Sequence, residues 1–288
     1  MFVKAGKWLT GLSASMNLIG HSELPGAMRK ELARAALRLS VPKRLLPNPI
    51  RLMGYSISYF AVWELRYLFH EIFVAGTYLF AADRRQPLIF DCGSNIGLSI
   101  LFFKKLYPEA RIIGFEAEPL TFEKLTSNIE RNGLRDVVLN HCALTDKDGS
   151  VEFYRTKNVR DKNVMDTIHS SLKRERKAGE SVFVPARRLS SFITEEIDML
   201  KLDVEGAEVS VLQDLTDTGR LPMIRQIHLE YHHHIDSKED KLSSMLGMLE
   251  DQGFGYQIAA QTSCLPEAGT FQDISLYCYR KRDGCLVA

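Results

Sequence analysis

The chain has 288 residues with 37 basic and 36 acidic side chains, so its formal net charge at pH 7 is +1. A balance this even gives no electrostatic reason for a polyanionic partner, and we predict that the protein does not bind nucleic acid. The five cysteines form no C-x-x-C pair and are odd in number, which favours a reducing, cytoplasmic compartment over a disulfide framework.

The length predicts one large domain with an extension: residues 1–55 as a helical N-terminal segment and residues 56–288 as the main domain. Apolar residues recur at helical spacing between residues 28 and 39. Residues 8–20 follow two lysines but are too polar for the apolar core of a signal peptide. Charged residues interrupt the stretch 53–80, so we predict no transmembrane segment, and weak contact of the N-terminal helix with a membrane surface stays open.

The stretch PLIFDCGSNIG, residues 87–97, predicts the start of a βαβ unit. An apolar run ends at Asp91, a turn bracketed by Gly93 and Gly97 follows, and apolar residues then recur at helical spacing. Glycines let a ligand approach the backbone of such a turn, and the N–H groups at the helix N-terminus stay unpaired. The turn is not the dinucleotide fingerprint, because Asn95 stands where that pattern needs its second glycine.

A second apolar run, residues 111–115, ends in Glu116 at the tip of the predicted second strand. An acidic side chain there can accept hydrogen bonds from both ribose hydroxyls. With the glycine turn it describes a nucleoside pocket without a seat for a diphosphate, which fits S-adenosylmethionine. The plainer alternative is an ordinary strand-to-helix turn with solvated carboxylates. The residues predicted from this unit to bind the methyl donor are Asp91, Gly93, Asn95, Gly97 and Glu116.

The rest of the chain alternates apolar runs with helical stripes, which predicts a doubly wound α/β sheet. Further strands are predicted at 137–142, 182–185, 199–202 and 224–229, an antiparallel pair at 256–259 and 274–279, and helices at 59–73, 119–131, 189–193, 208–215 and 242–249. Residues 151–154 are predicted to be the hairpin partner of the strand before them. Residues 155–180 are polar and without periodicity, so we predict a long loop or lid, with a solvated insertion as the alternative.

Three stretches together resemble the FkbM-type family of S-adenosylmethionine-dependent methyltransferases. They are IFDCGSNIG, GFEAEP and, most specifically, DMLKLDVEGAEVSVL at residues 198–212; weaker matches are FHEIF with Tyr78, HCAL at 141–144, SSL at 170–172 and HLEYH at 228–232. Ala117 departs from the family's Phe-Glu-Pro core. The resemblance implies a seven-stranded methyltransferase sheet whose last hairpin adds one antiparallel strand. It also implies that the methyl acceptor is usually an oxygen atom.

Three further side chains complete the predicted donor site. Glu71 and Tyr78 precede the first strand, where an upstream helix and strand could fold over the donor and hold its ammonium and carboxylate groups. A surface carboxylate and a packed ring are the alternatives for these two. Ala143 is included because the HCAL stretch matches the family.

Asp203 and Glu230 are predicted to end neighbouring strands, which lie roughly 4.8 Å apart, so their carboxyl groups could share one site. One acid, its pKa raised by the other, would then be the base for an acceptor hydroxyl. Magnesium bound by the pair is the alternative, and we favour the metal-free arrangement because two acids are few ligands. Glu205 either caps the next helix or faces the acceptor. His232 is the one of three consecutive histidines nearest the strand tip.

These patterns predict a methyltransferase that uses S-adenosylmethionine to methylate a hydroxyl of a sugar, glycan or natural product. One rival is a nicotinamide-dependent oxidoreductase, which the incomplete glycine fingerprint disfavours. The other is a non-catalytic binding module of the same fold, which the polar residues at every strand tip disfavour. The acceptor pocket is predicted to come from the least patterned segments, including residues 155–180.

Overall fold

The computed structural model describes residues 26–157, 165–171, 181–235, 239–260 and 271–281. The helices are α1 (Gly26–Leu39), α2 (Val62–Phe69), α3 (Leu98–Leu106), α4 (Pro119–Arg131), α5 (Glu208–Asp217) and α6 (Leu242–Asp251). A π-helical turn, His70–Val74, continues α2, and 3-10 turns lie at Lys43–Leu45, Leu189–Phe192 and Leu221–Met223. The strands are β1 (Ile50–Leu52), β2 (Tyr55–Ile57), β3 (Leu88–Cys92), β4 (Arg111–Glu116), β5 (Val137–His141), β6 (Ala143–Thr145), β7 (Gly149–Lys157), β8 (Met165–Ser171), β9 (Ser181–Arg188), β10 (Met199–Leu202), β11 (Gln226–His233), β12 (Phe254–Ala260) and β13 (Gln272–Arg280).

Seven strands form the central sheet in the order β12-β13-β11-β10-β3-β4-β5. Neighbours from β11 to β5 are parallel, whereas β13 runs antiparallel to both of its neighbours. The prediction of a seven-stranded α/β sheet with one antiparallel strand from the last hairpin is therefore confirmed. Because helices cover both faces, β3 and β10 are buried at every position, which explains their continuous apolar runs.

Two hydrophobic cores lie on the two faces of this sheet. Successive residues of β3 divide between them, since Ile89 packs in one core and Phe90 in the other. The first core also holds apolar residues of α1, α2 and α3. There the ring of Phe73 stacks on Phe69 with centroids 5.0 Å apart and meets the edge of Phe102 at 5.3 Å. These ring contacts hold α2 and its π-helical turn in place, and both segments line the cavity at the end of the parallel strands.

The strand register brings several chain segments to one edge of the sheet. Leu202 of β10 pairs with Leu229 of β11 and with Cys92 of β3, and Cys92 pairs with Phe115 of β4. The residues that follow each of these positions are Asp203, Glu230, Gly93 and Glu116. The strand order reverses between β3 and β10, and ligands of open α/β sheets bind at this kind of crevice.

A second sheet of four strands, β6-β9-β7-β8, was not predicted. Strand β7 pairs with β8 and β9, so the prediction of residues 151–154 as a hairpin partner of β5 was wrong. Residues 155–157 and 165–171 are strand, which corrects the predicted loop, while 158–164 and 172–180 lie outside the described residues. Ala143, Phe153 and Val184 form a small, separate apolar cluster within this sheet, and many of its other described residues are polar.

Strand β11 continues four residues beyond its predicted end at residue 229, so Glu230 lies inside the strand rather than after it. Antiparallel pairing with β13 reaches His233 and keeps this part of β11 extended beyond the end of β10. The predicted helix 59–73 begins later, at Val62, and the segment that carries Tyr78 forms no strand. No helix in the described ranges has both the length and the apolarity needed to cross a membrane.

Candidate active site

A cavity of about 1000 Å³, measured with its open mouth, lies over the edge where the parallel strands end. The turn after β3, the tip of β4 and the loop after β10 contribute to it, as do α2 with its π-helical turn and the second sheet. Most of the predicted site residues line it: Glu71, Tyr78, Gly93, Asn95, Glu116, Ala143, Asp203, Glu205 and Glu230. The other predicted residues, Asp91, Gly97 and His232, are not among the lining residues.

The turn after β3 requires a glycine at residue 93. Gly93 has φ of +86°, and a Cβ atom there would lie 1.8 Å from the carbonyl oxygen of Asp203. The backbone N–H groups of Gly93 and Ser94 donate to the carbonyl oxygen of Phe115 at 3.0 and 2.8 Å, which ties the turn to β4. Gly97 has φ of +93° and packs on the side chain of Leu125, so it shapes the start of α3.

The carboxylate of Glu116 is fixed by two backbone groups. Its Oε2 accepts from the N–H of Asn95 and its Oε1 from the N–H of Glu118, each at 2.9 Å. Burial raises its pKa to about 7, although these two hydrogen bonds oppose the shift. A carboxylate oxygen accepts about two hydrogen bonds, so each oxygen keeps a free position for a ligand hydroxyl.

Lys201 is a site residue that the sequence analysis missed. Its Nζ donates to the carbonyl oxygen of Gly93 at 2.8 Å and to Asp203 Oδ2 at 3.2 Å, and it lies 3.6 Å from Asp91 Oδ1. Burial lowers the pKa of Lys201, but the charges of Asp203 and Asp91 outweigh burial and raise it. Asp91 is fully buried and also accepts a hydrogen bond from Ser99 Oγ at 2.6 Å. It therefore stabilises the turn by contacts to Lys201 and to α3 rather than by lining the cavity. A lone lysine inside the apolar strand MLKL was the available signal.

The far end of the cavity is acidic. Burial, followed by the charge of Asp203, raises the pKa of Glu230 to about 8 and that of Glu71 to about 7. Tyr78 is 2% exposed and meets the ring of His228 edge-on, with centroids 4.9 Å apart. Carboxyl groups at this end can accept a proton or hold a cation.

His232 lies beside Asp203 and Glu205 but does not itself line the cavity. Its Nδ1 donates to Glu208 Oε1 at 2.8 Å, and its Nε2 is 3.2 Å from Glu205 Oε2 and 3.9 Å from Asp203 Oδ1. Burial lowers the pKa of His232, but the charge and hydrogen bond of Glu208 outweigh burial and raise it to about 9. Glu208, the first residue of α5, therefore holds this imidazole in place.

Two further residues of the site had no sequence signal. Asp273 is opposite His232 in the register of β11 and β13, with Oδ1 4.0 Å from Nε2. Phe153 reaches the cavity from the second sheet. His233 and His234 lie instead beside Asp240, at 3.5 and 2.8 Å, so of the three histidines only His232 approaches the acids that line the cavity.

Residues 91–256 match the family model described as "Methyltransferase FkbM domain". The chain is 30% identical over 212 residues to "Methyltransferase 1" of Beauveria bassiana, covering 68% of this chain and 83% of the relative. It is 27% identical over 237 residues to "31-O-demethyl-FK506 methyltransferase FkbM" of Streptomyces tacrolimicus, covering 73% and 87%. Among solved structures, it is similar to the methyltransferase FkbM of Methylobacillus flagellatus, with 13% identity, a TM-score of 0.47 and coverage of 92% of this chain and 58% of that one.

Proposed function

This chain belongs to the FkbM methyltransferase domain family, and we propose that it transfers a methyl group from S-adenosylmethionine to an oxygen atom of a small-molecule or glycan acceptor. The observation that carries the proposal is the glycine turn and the Glu116 carboxylate facing one cavity at the strand ends. S-adenosylmethionine supplies a methyl group on a sulfonium, which a nucleophile displaces in line. The chain then has to position the reactants and exclude water.

The lining residues fit this donor. Gly93 leaves backbone without a side chain beside the cavity, and Glu116 keeps carboxylate positions that suit the two hydroxyls of a ribose. Ala143 and Phe153 offer apolar surface that suits a purine ring. At the acidic end, Glu71 suits an ammonium group.

Asp203 and Glu230 support an acceptor that loses a proton, because both carboxyl groups line the cavity and the charge of Asp203 acts on Glu230. A neutral hydroxyl is a poor nucleophile, so its proton passes to one of these carboxylates as the new C–O bond forms and the C–S bond breaks. The name of the Streptomyces relative, a methyltransferase of a 31-O-demethyl compound, supports oxygen as the acceptor atom. Asp203→Asn and Glu230→Gln should each slow methyl transfer by about 10²-fold or more while donor affinity persists.

Calorimetric titration of the full chain with S-adenosylhomocysteine tests donor binding without knowledge of the acceptor. We expect saturable binding, weakened in Glu116→Gln and unchanged in Glu123→Gln, an exposed control on α4. No binding heat from protein that circular dichroism shows to be folded would refute the proposal. A change in NADH emission on mixing with the protein would favour the oxidoreductase instead.

A further inference from the structure

We propose that the acidic end of the cavity is a divalent transition-metal site, with Asp203, Glu205 and His232 as protein ligands. One carboxylate oxygen from each acid and one imidazole nitrogen all lie within 4.8 Å of one another. Glu230, His232 and Asp273 form an overlapping group with the same property. The two groups share the imidazole of His232, so five side chains from three segments lie around it.

The spacings from His232 Nε2 to Glu205 and Asp203 agree with ligands of one octahedral ion. Metal–ligand bonds of roughly 2.1 Å place adjacent ligand atoms about 3.0 Å apart and opposite ones about 4.2 Å apart. The observed separations from Nε2 are 3.2 Å to Glu205, 3.9 Å to Asp203 and 4.0 Å to Asp273. Glu205 thus fits a position adjacent to Nε2 on one octahedral ion, and Asp203 fits the opposite position. Only one ligand can lie opposite Nε2, so Asp273 belongs to the overlapping group instead.

His232 is held in the orientation that a metal ligand needs. Its Nδ1–H donates to Glu208, and both side chains are 2% exposed. A carboxylate that accepts from the far nitrogen of a histidine is the usual outer partner of a metal-binding imidazole. Nε2 then points toward carboxylate oxygens, which only accept hydrogen bonds, so a cation must lie between them. A proton on Nε2 or a metal ion can fill that place, and the experiment below separates them.

A second feature indicates that this end of the cavity receives a ligand. Tyr78 is 98% buried, and its hydroxyl makes no hydrogen bond to any residue in the described ranges. The residue lines the cavity together with Asp203, Glu205 and Glu230. The hydroxyl therefore opens to the cavity, where a bound group can accept its hydrogen bond.

The ligand types select the ion. Imidazole nitrogen with carboxylate oxygens suits manganese, iron, cobalt or zinc, whereas magnesium and calcium prefer oxygen alone. Manganese and cobalt are also the practical probes, since each reports its binding by spectroscopy. This site thus differs in both ligands and ion from a magnesium site formed by Asp203 and Glu230 alone.

The role of the ion rests on the proposed function, although its binding does not. An acceptor hydroxyl that coordinates the ion has a lower pKa, and its proton passes to Glu230 or to water. The resulting oxygen anion displaces the methyl group from the sulfonium, so a C–O bond forms, a C–S bond breaks and a neutral thioether leaves. No oxidant or reductant takes part.

Titration of chelator-treated full-length protein with Mn²⁺, followed by the loss of the free-ion paramagnetic resonance signal, measures binding directly. We expect one site, weakened at least 10-fold in Asp203→Asn and in His232→Gln. Glu208→Gln should weaken binding about 10- to 100-fold, the usual effect of losing an outer partner. Asp240→Asn is the matched control, because it disrupts the neighbouring surface group of His233, His234 and Asp240 and should leave this site intact.

The visible spectrum of bound Co²⁺ provides a readout that a purely structural role of His232 would not change. Because His232 is buried, its variant could unfold. Asp203, with a side chain 24% exposed, therefore supplies a second variant. Circular dichroism checks that both variants are folded. No Mn²⁺ or Co²⁺ binding at millimolar ion would overturn the inference and leave a proton between the acids. Equal affinity in Asp203→Asn, or loss in Asp240→Asn alone, would also overturn it. S-adenosylhomocysteine is titrated in parallel: donor binding without metal rejects only this inference, and metal binding without donor rejects only the proposed function.

Discussion

Glu116 should make donor affinity depend on pH around neutrality. Its carboxylate accepts two backbone hydrogen bonds and, in the proposed function, two more from the donor's ribose. Only the ionised form can accept on both oxygens without offering a proton of its own. Because burial raises the pKa of Glu116 to about 7 in the free protein, a large part of the population is protonated at pH 6.

The size of the effect follows from that pKa. If only the ionised form binds, the apparent dissociation constant is multiplied by 1 + 10^(pKa − pH). With a pKa of about 7, this factor is about 11 at pH 6 and about 1.1 at pH 8, so affinity should rise roughly 10-fold between them. The sign is fixed, because a proton competes with the donor for the same oxygen lone pairs.

The assay is calorimetric titration with S-adenosylhomocysteine at pH 6, 7 and 8 in buffers of matched ionic strength. Glu116→Gln should bind roughly 10- to 100-fold more weakly at pH 8, which corresponds to losing a charge-assisted hydrogen bond of about 1.5–3 kcal/mol. It should also lose the dependence on pH between 6 and 8. Equal affinity of the unaltered protein at pH 6 and 8, or a variant that behaves like Glu123→Gln, would refute the reasoning.

Three further predictions concern the neighbouring residues. Gly93→Ala should lower Tm by several degrees more than Gly133→Ala, because both glycines have positive φ but only the first meets a backbone atom, at 1.8 Å. Lys201→Met should cost about 3–5 kcal/mol of unfolding free energy in urea, since it leaves buried Asp91 without its cation, whereas exposed Lys147→Met should change it by less than about 0.5 kcal/mol. Glu71→Gln should weaken donor binding without lowering Tm at pH 8. Folding raises the pKa of Glu71 to about 7, so an ionised Glu71 lowers the stability of the folded protein at pH 8. A neutral glutamine removes that loss of stability. A lower Tm in Glu71→Gln, or unchanged donor affinity, would contradict the last of these.

The parts of the fold that the sequence predicted are those whose signal is local. Strand β3 and helix α3 can be predicted from the sequence, because a fully buried parallel strand must be apolar throughout. The turn between them also needs glycine at residue 93. The tip of β4 was equally clear, since one acid follows an apolar run. Each of these features depends on about ten consecutive residues, so the local sequence is enough to predict it.

The features that were missed depend on residues far apart in the chain. The second sheet joins β6 to β9 across about 40 residues, and its strands bury too little apolar surface to produce a strong pattern. Asp273 reaches His232 only because β13 pairs with β11 in one particular register, and a shift of one residue would turn its side chain to the other face. Nothing within the local sequence of either residue specifies that register.

Lys201 joins the two halves of the proposed reaction. A single buried ammonium group donates to the carbonyl oxygen of Gly93, in the turn of the proposed donor site, and to Asp203, at the proposed acceptor end. Its strand neighbour Leu202 pairs with Cys92, so the geometry is set by the pairing of β10 with β3. A displacement of either loop would remove a hydrogen bond from this buried ammonium group, and that cost holds the donor and acceptor ends in fixed relation. In-line transfer needs this fixed relation more than it needs any further chemical group, because the donor already carries its leaving group.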